Sequence, residues 1–297
     1  MTTLVEKTKT DDYISFLHKT HINNNIEAIF QFASSFRTMD KELSSKELTL
    51  KEKYFESVNL LQDVSVPYDN HKIHLTFFDK TLQSKLLELG MIDSEDLEND
   101  NHIYSPEKQE QIRYRMTQAL NLINSLHPEL GNLVNQLVGT FLILKKDLFG
   151  GGSVSNVLGL IWLNPQEEWT IIDYAEAIYH EFIHQSIFLD DMINCMFPNA
   201  NDCAKEEALV TSTILKMRRP LDRSYHAAGV SIGIMHLYHL FNDKSKSVQF
   251  IDDLKVTLSE ISTKTEFLGE QGIIALEQMN SFAKNVNYDL ITESLNK

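Results

Sequence analysis

The segment Tyr179-His180-Glu181-Phe182-Ile183-His184 constrains this chain more than any other. Histidines four apart on a helix lie roughly 40° from one another around its axis, so both imidazoles can reach a single metal ion. A His-Glu-x-x-His match arises by chance in about 3 of 100 chains of this composition, which makes coincidence the weaker explanation. The spacing therefore predicts a helix here.

Helical periodicity from Ile171 to Ile193 supports that assignment. Ile171, Ala175, Ile178, Phe182, Leu189 and Ile193 fall on one apolar stripe, and His180 and His184 lie on the opposite side with Asp173, Glu176, Ala177, Ile187 and Asp191. Glu176, one turn before His180, is placed to steady a ligand imidazole. The bland alternative is a pair of solvent-facing histidines on an ordinary amphipathic helix, and such a face has no need of this pattern.

The whole chain narrows the classes of partner. Its 297 residues carry a formal net charge of −15, and no basic surface is concentrated enough to bind phosphate, so neither nucleic acid nor an anionic membrane is expected as a partner. The first residues lack the apolar core of a signal peptide and no apolar run approaches a membrane span, so a cytoplasmic location is expected. Cys195 and Cys203 are the two cysteines, too few for a disulfide scaffold and more simply read as packing residues than as ligands.

Taken in order, residues 11–62 read as helical and Ile73–Phe78 as a short strand, followed by a helix over Leu82–Leu89 that Gly90 ends. His71 and His74 are read as surface residues. The polar stretch ahead of Pro106 divides the chain into a helical region, 1–100, and a metal-binding catalytic domain, 101–297. A helix follows from Pro106 to about Ser125. Val138–Leu144 and Val157–Leu163, joined through Gly150-Gly151-Gly152-Ser153, read as a hairpin whose second strand could offer an edge to an extended peptide. That glycine cluster lacks the Lys-Ser/Thr of a phosphate-binding loop. Beyond the metal helix, helices are expected over Ala204–Met217, Ser224–Phe241, Val248–Thr265 and Glu270–Lys284. The fold class is mainly α with a small β-hairpin or sheet beside the metal helix.

Two histidines leave a catalytic metal short of a ligand. Glu206, Glu207, His226, His236 and His239 are the downstream candidates, and His226 is favoured because Ala227, Ala228 and Gly229 beside it permit close helix approach. A carboxylate from Glu206 or Glu207 would instead match many zinc peptidases, in which the motif glutamate, here Glu181, is the general base. Read from its residues alone, the chain looks most like a zinc peptidase.

Ala175-Glu176, His180-Glu181-x-x-His184 and the later Arg219-Pro220-Leu221 with His226 together resemble the HExxH-type peptide β-hydroxylases, 2-oxoglutarate-dependent maturases of ribosomally made peptide natural products. The resemblance spans roughly Val138–Leu240. It implies Fe(II) held by His180, His184 and His226, with 2-oxoglutarate as co-substrate and a precursor peptide as partner, whose leader segment the helical region 1–100 could recognise. It further implies that Arg219, with Arg218 and Arg223 behind it, receives the far carboxylate of 2-oxoglutarate through a guanidinium fork. Glu181 and Glu176 remain the carboxylates beside the metal, and a triad containing one of them stays open as an alternative.

Overall fold

A computed structural model describes residues 13–36, 47–146 and 150–297. Helices dominate, with one small four-stranded sheet and a two-stranded ribbon. No described helix is long and apolar enough to cross a membrane. The chain resolves into two compact units, residues 23–189 and residues 190–297 together with the segment before Asn23. The polar stretch ahead of Pro106 lies inside the first of these.

The first unit takes in most of α1 (Lys19–Phe36), then α2 (Leu50–Leu61), β1 (His74–Thr76), α3 (Lys80–Glu88), α4 (Ser94–Leu97), α5 (Pro106–Leu126) and α6 (Pro128–Leu137). It continues through β2 (Thr140–Ile143), β3 (Gly151–Gly152) and β4 (Leu160–Leu163) into α7 (Ile171–Asn194). Local signals set these starts. Ser105 caps α5 with Pro106 as its first residue, Thr49 and Glu52 form a capping box on α2, and Thr170 and Asp173 exchange hydrogen bonds at the head of α7.

The strand order is β1-β2-β4-β3, with β1, β2 and β4 parallel and β3 antiparallel at the edge. The hairpin expected between the two apolar runs is thus not formed: Thr140 to Ile143 pair in parallel with Leu160 to Leu163. The chain leaves β2, visits the far edge as β3, and returns to fill the slot between them. All eight residues of β2 and β4 are buried, so neither strand shows the alternation that would have revealed its neighbours.

Two glutamines fix the entry to β4. Gln62 accepts from Leu158 N–H at 2.9 Å, while Gln185 on α7 accepts from Gly159 N–H at 2.8 Å and donates to Leu160 C=O at 3.1 Å. Gln185 is fully buried. Gln185→Leu would leave both backbone groups unpaired, and urea unfolding is expected to show a loss of about 2–4 kcal/mol.

Lys51 on α2 is also buried, its ammonium donating to Asn135 Oδ1 at 2.9 Å and Lys72 C=O at 3.1 Å. Burial pulls its pKa down to about 8, against the opposing pull of Asp69. The folded state therefore binds fewer protons than the unfolded chain between that value and the ordinary lysine range. Below pH 8 the penalty of the buried charge is fully present, and it is relieved as pH rises toward 10. Between pH 7.5 and 9.5, wild type should gain roughly 1–2 kcal/mol relative to Lys51→Met in urea unfolding, and parallel pH profiles would contradict this.

The second unit holds β5 (Val210–Thr211), β6 (Arg218–Arg219), α8 (Leu221–Leu240), α9 (Ile251–Ser262), α10 (Glu270–Lys284) and α11 (Tyr288–Asn296). Buried from Ser224 to Tyr238, α8 is its central helix. The helix expected over Ala204–Met217 is replaced by two short 3-10 turns and the antiparallel β5–β6 pair. Side chains of α9 capture this stretch in extended form: the Glu260 carboxylate accepts from Thr211 N–H at 2.7 Å and its hydroxyl at 2.9 Å, and Thr257 Oγ1 donates to Thr211 C=O at 2.8 Å. Such bonds would compete with a helical ladder and favour the β-branched residues found here.

A buried carboxylate ties the early chain into this unit. Asp190 meets His21 Nε2 at 2.8 Å and accepts from Asn194 at 2.7 Å, Gln271 at 3.3 Å and Ser15 Oγ at 3.4 Å. The Ser15 amide donates to Gln278 Oε1 at 2.9 Å.

Candidate metal centre

Helix α7 does with the motif what its spacing requires. His180 and His184 turn toward each other, their Nε2 atoms 3.2 Å apart. The ligand atoms of His180, Glu181 and His184 all lie within 4.8 Å of one another, the one such group found among the described residues. Two nitrogens held about 2.1 Å from one ion at tetrahedral or octahedral angles stand roughly 3.0–3.4 Å apart, so the pair already has the spacing of two ligands on a common metal. The residues present fit a transition metal.

Electrostatics favours the same state. Burial lowers the His180 pKa to about 4, keeping the imidazole neutral with a lone pair free to ligate, though 31% of its side chain still meets solvent. Glu181 is 6% exposed. Its burial raises the carboxyl pKa to about 7, against the opposing effect of a hydrogen bond from Ser153 Oγ to Oε2 at 2.7 Å. The other oxygen, Oε1, lies 3.7 Å from His180 Nε2. A carboxylate so placed can exchange a proton near neutral pH with a group bound beside His180.

An open cavity of about 310 Å³ adjoins this group, lined among others by His180, Glu181, Glu176, Trp169, Gly150 and Gly151. Glu176 therefore opens onto the same space as the motif, one turn earlier on the same face. Ser153 and Trp169 are participants that sequence reasoning missed. Ser153 reads as part of a glycine turn, and Trp169 sits in a polar linker; the signal available was their closeness to a strand end and a helix start, where site residues gather.

The other expected site residues belong to the second unit. His226, on α8, is 6% exposed, and its ring stacks on Phe197 at 6.1 Å between centroids. Burial drives its pKa down to about 3, so it too is neutral. Arg219, on β6, is half-buried, and no described residue forms an ion pair or hydrogen bond with its guanidinium. Burial first, then the neighbouring Arg223, lowers its pKa. Arg218 instead donates to Leu209 C=O at 3.0 Å and approaches Glu206 at 3.8 Å, while Arg223 is exposed. Glu206 and Glu207 are exposed on a 3-10 turn, and Cys203 is a free, buried thiol. No protein-family model matches the chain, and no curated protein shows significant similarity to it.

Proposed function

We propose that the chain is an Fe(II)- and 2-oxoglutarate-dependent hydroxylase of a side-chain β-carbon in a ribosomally made precursor peptide. The observation that carries a metal-dependent activity is the pair of imidazole nitrogens 3.2 Å apart with a buried carboxylate beside them. In this reading His180, His184 and His226 are the three protein ligands, leaving positions for 2-oxoglutarate and O₂. Arg219, half-buried and with Asp222 near it but no ion pair or hydrogen bond to a described residue, suits the far carboxylate of the co-substrate. When bound, iron supplies the oxidising chemistry; the protein orients the peptide, holds the co-substrate and keeps Glu181 in place through Ser153.

A zinc peptidase is the second reading, favoured by one observation: Glu181, buried and lying between the two histidines in sequence with Oε1 3.7 Å from His180 Nε2, has the placement of a general base. The two are separated by one experiment. Purified protein is incubated with Fe(II), 2-oxoglutarate and candidate precursor peptides, and in parallel with Zn(II) and the peptides alone. The hydroxylase yields succinate and a peptide one oxygen heavier. Absence of succinate under every peptide condition overturns it, and cleavage of the peptide with zinc, lost on Glu181→Gln, establishes the peptidase.

A further inference from the structure

We propose that Gly151 is a docking point for polypeptide main chain, its N–H and C=O hydrogen-bonding one residue of an extended peptide laid along the outer edge of β3. This deepens the peptide reading above and rests on it for the consequence of binding. The argument starts from strand pairing. Asn164 N–H donates to Gly150 C=O at 2.8 Å, and the register pairs Gly151 with Leu163 and Gly152 with Trp162. In an antiparallel ladder, hydrogen-bonded and non-hydrogen-bonded pairs alternate. Gly150 and Gly152 therefore spend their backbone groups on β4 and its continuation, and those of Gly151 point away from the sheet.

Among the described residues nothing pairs with the outward groups. Strand β3 ends the sheet, and no described residue lies hydrogen-bonded across its outer side. Edge strands are usually blunted by charged side chains or proline, and here there are no side chains at all. Packing within the sheet explains why. A Cβ on Gly151 would lie 2.7 Å from Leu163 Cδ2 and 2.8 Å from Trp162 O, one on Gly152 would lie 3.1 Å from Trp162 Nε1, and one on Gly150 would lie 3.2 Å from the Trp169 ring. The result is a bare edge lining the same cavity as His180 and Glu181.

That continuity selects the occupant. A two-residue strand is far shorter than the strands by which sheets usually merge, so a second copy of this chain would gain little from the edge. A single extended peptide gains the two main-chain bonds of Gly151 and the walls of the cavity together. Recognition through main chain is tolerant of sequence, and it would set one peptide residue beside the metal pair.

The test uses the full chain loaded with Zn(II) and labelled with [1-¹³C,¹⁵N]glycine. Of eleven glycines, only Gly151 and Gly152 follow another glycine, so a carbonyl-filtered amide spectrum contains these two signals alone. Before any addition, the Gly151 amide should exchange with solvent at least about 100-fold faster than that of Gly152. Acetyl-tetra-alanine amide at millimolar concentration should shift Gly151 downfield and slow its exchange about tenfold, while the peptide N-methylated at every residue should not. A Gly151 amide protected from the outset, or unmoved by the peptide, overturns the proposal; so does a shift that follows protein concentration without peptide, which would assign the edge to a second copy. Hydroxylation or cleavage with an unmoved Gly151 refutes this inference alone, and a moved Gly151 without either activity refutes the functional reading alone.

Discussion

Replacing His184 with alanine is expected to abolish stoichiometric binding of Zn(II) or Fe(II) while leaving the metal-free protein within about 1 kcal/mol of wild type in urea unfolding. The ring is half-buried and stacks on Phe188 at 6.0 Å, so its loss removes modest packing from the fold. Its effect on the metal is of another order. Loss of a residue that merely orients a ligand costs roughly 10–100-fold in metal affinity, and deletion of a ligand should exceed that. Because metal binds only the folded protein, wild type at 1,000 times its Kd should gain about 4 kcal/mol on metal addition. His184→Ala should gain none of it, and chelation of wild type should reproduce the mutant's melting curve. Calorimetric titration and thermal melts with and without Zn(II) read both quantities. Wild-type affinity in the mutant would mean that the 3.2 Å pair is not the metal site.

The second large effect concerns the strand entry. Gly159 has φ +86, and a Cβ there would lie 2.3 Å from Phe55 Cε1. Its neighbours cannot give way easily: its N–H is held by Gln185, its C=O accepts from Gly139 at 2.9 Å and Thr140 at 3.2 Å, and Phe55 is fully buried with its ring against Gly139 as well. Gly159→Ala should therefore cost about 3–5 kcal/mol, combining backbone strain with overpacking. Gly90 is the internal control. Its φ of +68 is equally left-handed, but nothing lies within 4 Å of its Cβ position, so Gly90→Ala should cost only about 1–2 kcal/mol. Pairing Gly159→Ala with Phe55→Leu should recover more than 1 kcal/mol of the loss, about the scale of coupling between residues in contact. Equal costs at the two glycines would show that the close approach of Phe55 does not matter.

These two sites mark how much could be read from residues alone. The imidazole pair follows from helical spacing and needs no tertiary information, and helix α10 coincides with the expected Glu270–Lys284. The two apolar strands were also legible, but their direction was not, because an apolar run buried on both faces carries no record of its neighbour. Over Ala204–Met217 the apolar spacing fits a helix, and the deciding interactions come from Thr257 and Glu260, about fifty residues later. Ser153 and Gly159 are silent for the same reason. Their roles arise from Glu181 and Phe55, which only the fold brings to them.

The carboxylate of Asp190 and the amide of Gln278 are the partners of residues made about 170–260 positions earlier. At ribosomal rates of about 5–20 residues per second, Ser15 waits roughly 13–50 s for Gln278 to be polymerised. Its segment leaves the exit tunnel long before its receptor exists. Residues 23–189 can collapse on the nascent chain in the meantime, whereas the second unit is complete only once the segment of Ser15 and His21 joins it, a step in which holdase chaperones have their longest opportunity to act.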